Sequence, residues 1–224
     1  MITLSKRLDV IARSVPFGSN AVDVGADHGY LAIYLKKSGI AKNVIACDIN
    51  ELPLKNAYCN AQKYNADIQL CLSDGLEKID PSFAETIIIA GMGAEVICGI
   101  IDRAKWLKAK DKTLILQPMN SPEYLREYLA TNGFLITAEQ AVEDGGKLYT
   151  VITAKYDGRV ITDTLFYYKG LLSNKSDTDR LFLQKQLRRL ESWLFDIENL
   201  PSKQDEYTKL EYIVRSLKQF LEEI

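Results

Sequence analysis

The chain has 224 residues, of which 47% are hydrophobic and 26% charged. Its 28 Lys and Arg against 30 Asp and Glu leave a net charge of −2. That is ordinary globular composition. It excludes a disordered tail, a collagen-like fibre and a disulfide-stapled miniprotein. No strong global field draws the chain to nucleic acid or membrane, although a local basic patch fits within a balanced total.

Cys47, Cys59, Cys71 and Cys98 form no Cys-x-x-Cys pair, and His28 is the single histidine. The spacing of a zinc site is missing, so no metal is expected. The contexts IACDIN, QLCLSD and EVICGI read as buried apolar positions in a protein of the reducing cytoplasm. The opening MITLSKRLDVIARSV is charged and amphipathic and lacks the apolar core of a signal peptide. No apolar run reaches about 18 residues, so no membrane association is expected.

Residues 3–15 place Leu4, Leu8, Ile11 and Ala12 on one helical face, with Thr3 or Ser5 as cap. Lys6, Arg7 and Arg13 fall on the other side, as a solvated face or as phosphate contacts. Apolar runs at Ala21–Val24, Val44–Cys47, Ile68–Leu72, Thr86–Ala90 and Thr113–Leu116 then alternate with helical patterns at 30–38, 51–64, 94–105 and 121–131. Continuous runs of this kind are strands buried on both faces, in a parallel sheet covered by helices. Phe134–Val142 and Lys147–Lys155, joined by Glu143-Asp144-Gly145-Gly146, predict an antiparallel hairpin at one edge.

Residues 157–224 differ in kind. Leu165, Phe166, Tyr167, Leu171 and Leu172 predict a linking helix. Leu183, Leu187, Leu190, Leu194 and Ile197 predict a coiled-coil-like seam. Leu210, Val214, Leu217, Leu221 and Ile224 predict a second, across Pro201-Ser202-Lys203. Each seam is about two heptads long, so it must pack on itself, on the sheet or on a partner. The expected division is a sheet domain over 1–157 and a helical hairpin over 158–224. A monomer or weak dimer is expected.

The first strand ends in Asp23-Val24-Gly25-Ala26-Asp27-His28-Gly29-Tyr30-Leu31. A strand entering a glycine turn and then a helix is a cofactor-binding position in open α/β sheets. Gly25 admits a ligand to the backbone, and Gly29 lets the helix start close to the strand. The spacing is not Gly-x-Gly-x-x-Gly, and Asp27 in the loop repels a pyrophosphate at the helix N-terminus. It suits the sulfonium and ammonium of S-adenosylmethionine, which counts against NAD.

Asp48, ahead of Ile49 at the end of the second strand, is placed to accept from both ribose hydroxyls of an adenosine, or to cap the next helix. Asp74-Gly75 after the third strand is an acceptor for an adenine amino group or a plain turn. Ala90, Gly91 and Met92 end the fourth strand, where a reacting methyl group belongs. Gln117 and Asn120 supply neutral amides at the same rim and suit a base edge. Asn120 or Ser121 is alternatively a helix cap ahead of Pro122. His28 has the pKa range of a general base, or packs on the cofactor.

DVGADHGYL, ACDIN, SDGLE, IIIAGMGAEVI, LILQP and EDGGKLYTVI resemble, in order, the motifs of bacterial tRNA (adenine-22-N1)-methyltransferases. SKRLDVIA and the C-terminal hairpin extend the resemblance over essentially the whole chain. It implies a Rossmann-like class I methyltransferase domain, S-adenosyl-L-methionine as methyl donor and tRNA as partner. Methylation at N1 of adenine 22 is then the expected reaction, with a methyltransferase acting elsewhere, or a cofactor-binding module, as alternatives. Ala94 stands where the family commonly has glycine, and Met119 where it commonly has asparagine, with Asn120 one place later.

N1 of adenine carries a free lone pair, so no proton needs removal before attack. Asp27, His28, Tyr30, Gln117 and Asn120 are the candidate catalytic residues. Asp27 faces developing charge, and Tyr30 or Tyr149 stacks on the flipped base. Lys6, Arg7 and Arg13, with Lys185, Arg188 and Arg189 on the hairpin, are the candidate RNA contacts; solvated helix flanks are the plainer reading of both groups. The Asn/Asp-Pro-Pro-Tyr that accompanies exocyclic amine methylation is missing after the fourth strand, where IAGMG stands.

Overall fold

The computed structural model describes residues 2–223. Seven strands form one sheet: β1 (Ser19–Val24), β2 (Ala41–Asp48), β3 (Gln69–Leu72), β4 (Thr86–Met92), β5 (Thr113–Pro118), β6 (Phe134–Asp144) and β7 (Lys147–Tyr156). Their order is β3-β2-β1-β4-β5-β7-β6. The first five pair in parallel. β7 runs antiparallel to β5 and β6, as the Asp-Gly turn predicts.

The apolar runs become strands because both of their faces are covered. Ile87, Ile88 and Ile89 of β4 are each fully buried. Ile87 and Ile89 join one core with Val22, Val24, Leu114 and Leu116, under α4 (Ala94–Arg103) and α5 (Pro122–Thr131). Ile88 points into the other core with Ala21, Ala46 and Ile115, under α1 (Lys6–Ser14) and α2 (Tyr30–Lys37). Successive residues serve opposite layers, which is the period of a strand. α3 (Glu51–Lys63) completes the wrapping beside β2 and β3. Ser5 caps α1 by accepting from the amide of Leu8, so that helix begins two residues later than Thr3 would set it.

The order in which successive strands are added reverses between β1 and β4. Open parallel sheets place their ligand crevice at that switch point, beyond the carboxyl ends of the strands.

The C-terminal part consists of α6 (Thr164–Lys169), α7 (Asp177–Ile197) and α8 (Gln204–Glu222). α6 stops at Gly170, so Leu171 and Leu172, expected within the linking helix, lie beyond its end. Leu183, Leu190, Ile197, Leu210, Val214, Leu217 and Leu221 are buried between α7 and α8. Leu187 and Leu194 are only partly buried, and Ile213 takes a core place that the heptad spacing does not assign. Ile224 lies outside the described residues.

The departure has a cause: α7 packs on β6 as well as on α8, so it carries two buried stripes. Asp179 and Gln186 occupy the second stripe. Asp179 accepts from the amide of Ala141 on β6 at 2.7 Å and from that of Ser173 at 3.1 Å. The segment after residue 157 is tied back to the sheet as well, through Gly158 N to Gly133 O and Ile161 N to Ala130 O, both at 3.0 Å.

Candidate functional site

At the switch point the carboxyl ends of β1 to β4 enclose a pocket of about 450 Å³. Gly25, Asp48, Ile49, Asp74, Gly75 and Met92 line it, all of them sequence-predicted cofactor residues. Ser73, Glu95, Val96 and Arg103 line it too and carry no sequence signal of their own.

The loop after β1 is built by left-handed backbone. Gly25, Asp27 and Gly29 have φ of 71°, 49° and 71°. Asp is among the few residues with a side chain that take this conformation readily. A Cβ on Gly25 would collide with the methyl group of Met92, so glycine here lets two loops close over the pocket. A Cβ on Gly29 would meet Cβ of Ala57 on α3 at 2.9 Å. The close approach expected at Gly29 is therefore to a neighbouring helix, not to the strand.

Asp27 and His28 are exposed at the rim, with His28 Nε2 3.8 Å from Asp27 Oδ2. Tyr30 stands beside them, its ring centroid 5.8 Å from that of His28, and is exposed. Asp23 is not at the rim: it is 4% exposed beneath the loop. Burial pushes its carboxyl up to about 7, partly offset by a hydrogen bond from the amide of Ala32. It supports the loop from below, and direct cofactor contact is not its position.

Asp48 Oδ1 accepts from the amide of Asn50 at 2.9 Å, while Asn50 holds the cap position of α3. The alternative of Asp48 as helix cap is thereby set aside. Its carboxylate remains half-buried against the pocket with acceptor capacity left. Asp74 Oδ1 takes a hydrogen bond from Arg103 at 3.0 Å, so its expected role toward an adenine amino group is shared with an arginine.

On the other side of the crevice the structure corrects three expectations. Gln117 is fully buried. Its Oε1 accepts from the amide of Gly91 at 3.1 Å and from Arg7, and its Nε2 donates to the carbonyl of Pro118. It braces the last residues of β4 and presents no amide to a base. Asn120 Oδ1 accepts from the amide of Ala94 at 3.1 Å. It thus caps α4 across the crevice, not α5, which starts after Ser121 with Pro122 at its first turn. Arg7 is not a surface phosphate contact. It reaches in from α1 to Gln117, lies 3.9 Å from Asp144 and sits 5.8 Å from the Tyr149 ring centre.

Gly91 has φ 74°, and a Cβ there would meet nothing nearer than Arg7 at 3.4 Å, so its backbone is open to a ligand. Ala90 packs against the second core. Ala94 begins α4 with Gly93 as cap and is not among the positive-φ residues, so the departure from glycine causes no backbone strain. Met119 is exposed, and its amide donates to Met92 O at 2.8 Å. Ser121 has φ 43°, a strained position for a non-glycine residue beside the same rim.

Lys6 and Arg13 stay on the surface, with Arg13 paired to Asp9 at 2.9 Å. Lys185, Arg188 and Arg189 are exposed on α7, and Arg189 pairs with Glu123 at 2.6 Å. Cys47 and Cys98 are buried, Cys71 is half-buried and Cys59 is exposed. Burial pushes the Cys98 thiol up to about 12 and raises that of Cys47 as well, so neither is a nucleophile. Among the described residues no three His, Cys, Asp or Glu side chains are grouped to hold a metal, and no helix is long and apolar enough to cross a membrane.

Comparison with known proteins fits this geometry. A methyltransferase-domain family model matches residues 4–152. The tRNA (adenine(22)-N(1))-methyltransferase of Bacillus subtilis is 32% identical over 199 residues, 85% of this chain and 82% of that one. The crystal structure of the B. subtilis m1A22 tRNA methyltransferase superposes with a TM-score of 0.86 at 28% identity, covering 99% of this chain and 100% of that one. A Streptococcus pneumoniae structure in complex with S-adenosyl-L-methionine superposes at 0.82 with 31% identity, covering 98% and 100%. A chain that shares the sheet, the crevice and the C-terminal helices with these proteins belongs to the tRNA (adenine(22)-N(1))-methyltransferase family.

Proposed function

We propose that this chain transfers a methyl group from S-adenosyl-L-methionine to N1 of adenine 22 in tRNA. The observation that carries the reading is the crevice itself. Gly25, Asp48 and Asp74 line it, and acidic Asp27 is exposed on the loop that follows Gly25. These groups fit an adenosine bearing a cationic sulfonium and reject a pyrophosphate. When bound, the donor supplies an electrophilic methyl. Asp48 holds its ribose hydroxyls, the apolar surface of Ile49 and Val96 flanks its base, and Asp27 faces its positive end.

The chain's own contribution is positional. The lone pair of N1 lies in the ring plane and is free once the adenine leaves its stack and pair. No base is needed to unmask it, which agrees with the two structural roles found for Gln117 and Asn120. Both amides fix the Gly91–Ala94 turn, and through it the wall against which nitrogen and methyl must be aligned. Alignment of this kind supplies most of the acceleration in such a transfer. Asp27, exposed on the loop after β1, also faces the product's positive charge as it develops. Tyr30, exposed on the rim, stacks on the flipped base. Lys6, Arg13, Lys185 and Arg188 hold tRNA phosphates. The enzyme works in the cytoplasm as a monomer or weak dimer.

Single-turnover transfer of labelled methyl to unmodified tRNA, followed by nucleoside identification, tests this. N1-methyladenosine that disappears when adenine 22 is changed to guanine is the expected result. Label on another nucleoside, or on none while the donor binds, contradicts it.

A further inference from the structure

A second cavity of about 310 Å³ lies where α7 crosses the start of α5 and the hairpin strand β7. Pro122, Leu148 and Phe182 form its apolar walls, and Lys185 and Arg189 stand at its mouth. Gln186 points into it from α7. That residue is 6% exposed, and neither its Oε1 nor its Nε2 has a partner among the described residues. Glu123 also lines it: one carboxylate oxygen accepts from Arg189 at 2.6 Å, and the other is buried without a partner.

Leaving an amide unpaired in the interior destabilises the fold. A leucine would fill the same place on the second buried stripe of α7 without that cost. The amide is therefore out of place as packing and in place as recognition: it offers one donor and one acceptor side by side, as a base edge requires. Phe182 supplies an aromatic wall for stacking. Lys185 and Arg189, with Arg188 one residue before Arg189, give the mouth an excess of positive charge over Glu123, as a phosphate requires.

The cavity also lies close to the methyl-transfer rim. Pro122 follows Asn120 by two residues, at most about 7 Å of extended chain, and Asn120 caps the helix that lines the donor pocket.

We propose that this cleft is a subsite for one extrahelical nucleotide of the tRNA, distinct from the adenine that is methylated. Its base sits between Phe182 and Leu148, its edge is read by Gln186 and the free oxygen of Glu123, and its phosphate meets Lys185 and Arg189. The C-terminal helices thereby take part in selecting tRNA, and the inference rests on the tRNA reading above.

The test uses the full chain with Gln186→Leu, which keeps volume and removes the amide, and Phe182→Leu, which keeps an apolar wall and removes the stacking face. For Gln186→Leu, KM for tRNA should rise about tenfold, with kcat and calorimetric affinity for S-adenosylmethionine unchanged and the unfolding temperature unchanged or higher. Phe182→Leu should raise KM about fivefold. Wild-type KM for tRNA in both variants overturns the subsite while leaving the tRNA reading intact. If the wild-type chain transfers no methyl to tRNA, the parent reading fails, and gel-shift affinity for tRNA decides the cleft: weaker binding in both variants supports it, and equal binding overturns it.

Discussion

Two arginine–carboxylate pairs, one anchored on α4 and one on the neighbouring α5, do different work. Arg103 and Asp74 meet at 3.0 Å at the donor pocket, both about half exposed. Arg126 and Glu139 meet at 2.7 Å beneath α6, and neither side chain is exposed at all. The buried pair is fully hydrogen-bonded. Arg126 also donates to the carbonyls of Tyr167 and Tyr168, and Glu139 accepts from the amide of Leu171. Gly170 passes so close that a Cβ would meet Arg126 Nε at 2.6 Å. One pair lines the crevice and is open to solvent. The other is a buried clasp that joins α5, β6 and the start of the C-terminal helices.

The largest expected effect follows from breaking the clasp. Arg126→Met leaves a carboxylate buried and unpaired, and should cost about 3–5 kcal/mol of stability in urea unfolding. Adding Glu139→Leu should recover only part of this, because the Tyr167, Tyr168 and Leu171 backbone groups still lose partners. A loss below about 1 kcal/mol in the single variant would make the pair a bystander.

Asp23 gives the next effect, and it depends on pH. Its folded-state pKa of about 7 exceeds the ordinary 3.8, so between these values the native state holds a proton that the unfolded chain has released. Stability therefore falls as pH rises from about 4 to about 7, by up to about 4 kcal/mol, and levels off above. Asp23→Asn should match the wild type near pH 4, exceed it at pH 8 and remove this slope. Parallel stability curves for the two proteins across that range would contradict the assignment.

The donor side should respond in affinity and not in folding. Asp48→Asn should weaken S-adenosylmethionine about 10- to 100-fold by calorimetry, with an unfolding midpoint close to the wild type. Asp74→Asn is the smallest change. It should move stability by less than about 1 kcal/mol and donor affinity by a few-fold. A stability loss as large as that of Arg126→Met would erase the contrast between the two pairs.

The same contrast marks what the sequence discloses. The β1–α2 loop, Asp48 and Asp74 are legible because each follows its strand directly, so local spacing places them at the crevice. Gly91 and Met92 are legible for the same reason. Arg7 and Gln117 are bonded across 110 positions, and no local pattern carries that. Asn120 looks like the cap of the helix that follows it, and a cap of another helix is visible only once β4 and β5 are paired. The heptad spacing finds most of the α7–α8 seam, because helix pairing is periodic. It misses Asp179 and Gln186, because a helix with two packed faces has two stripes, and the second is polar here for reasons that reside in β6, β7 and α5. Arg103 enters the pocket from the last turn of α4, where it reads only as a favourable charge at a helix end.

The crevice is proposed to align a ring nitrogen, and not an exocyclic amine, with the methyl donor. The most direct test replaces adenine 22 of the tRNA with 1-deazaadenine, which keeps the amino group and ring shape and removes only N1. Methyl transfer measured by label uptake at that position should vanish, while binding of the modified tRNA stays within a few-fold of the natural one. Undiminished methylation of the deaza nucleotide would rule out N1 as the acceptor and move the reaction to another atom.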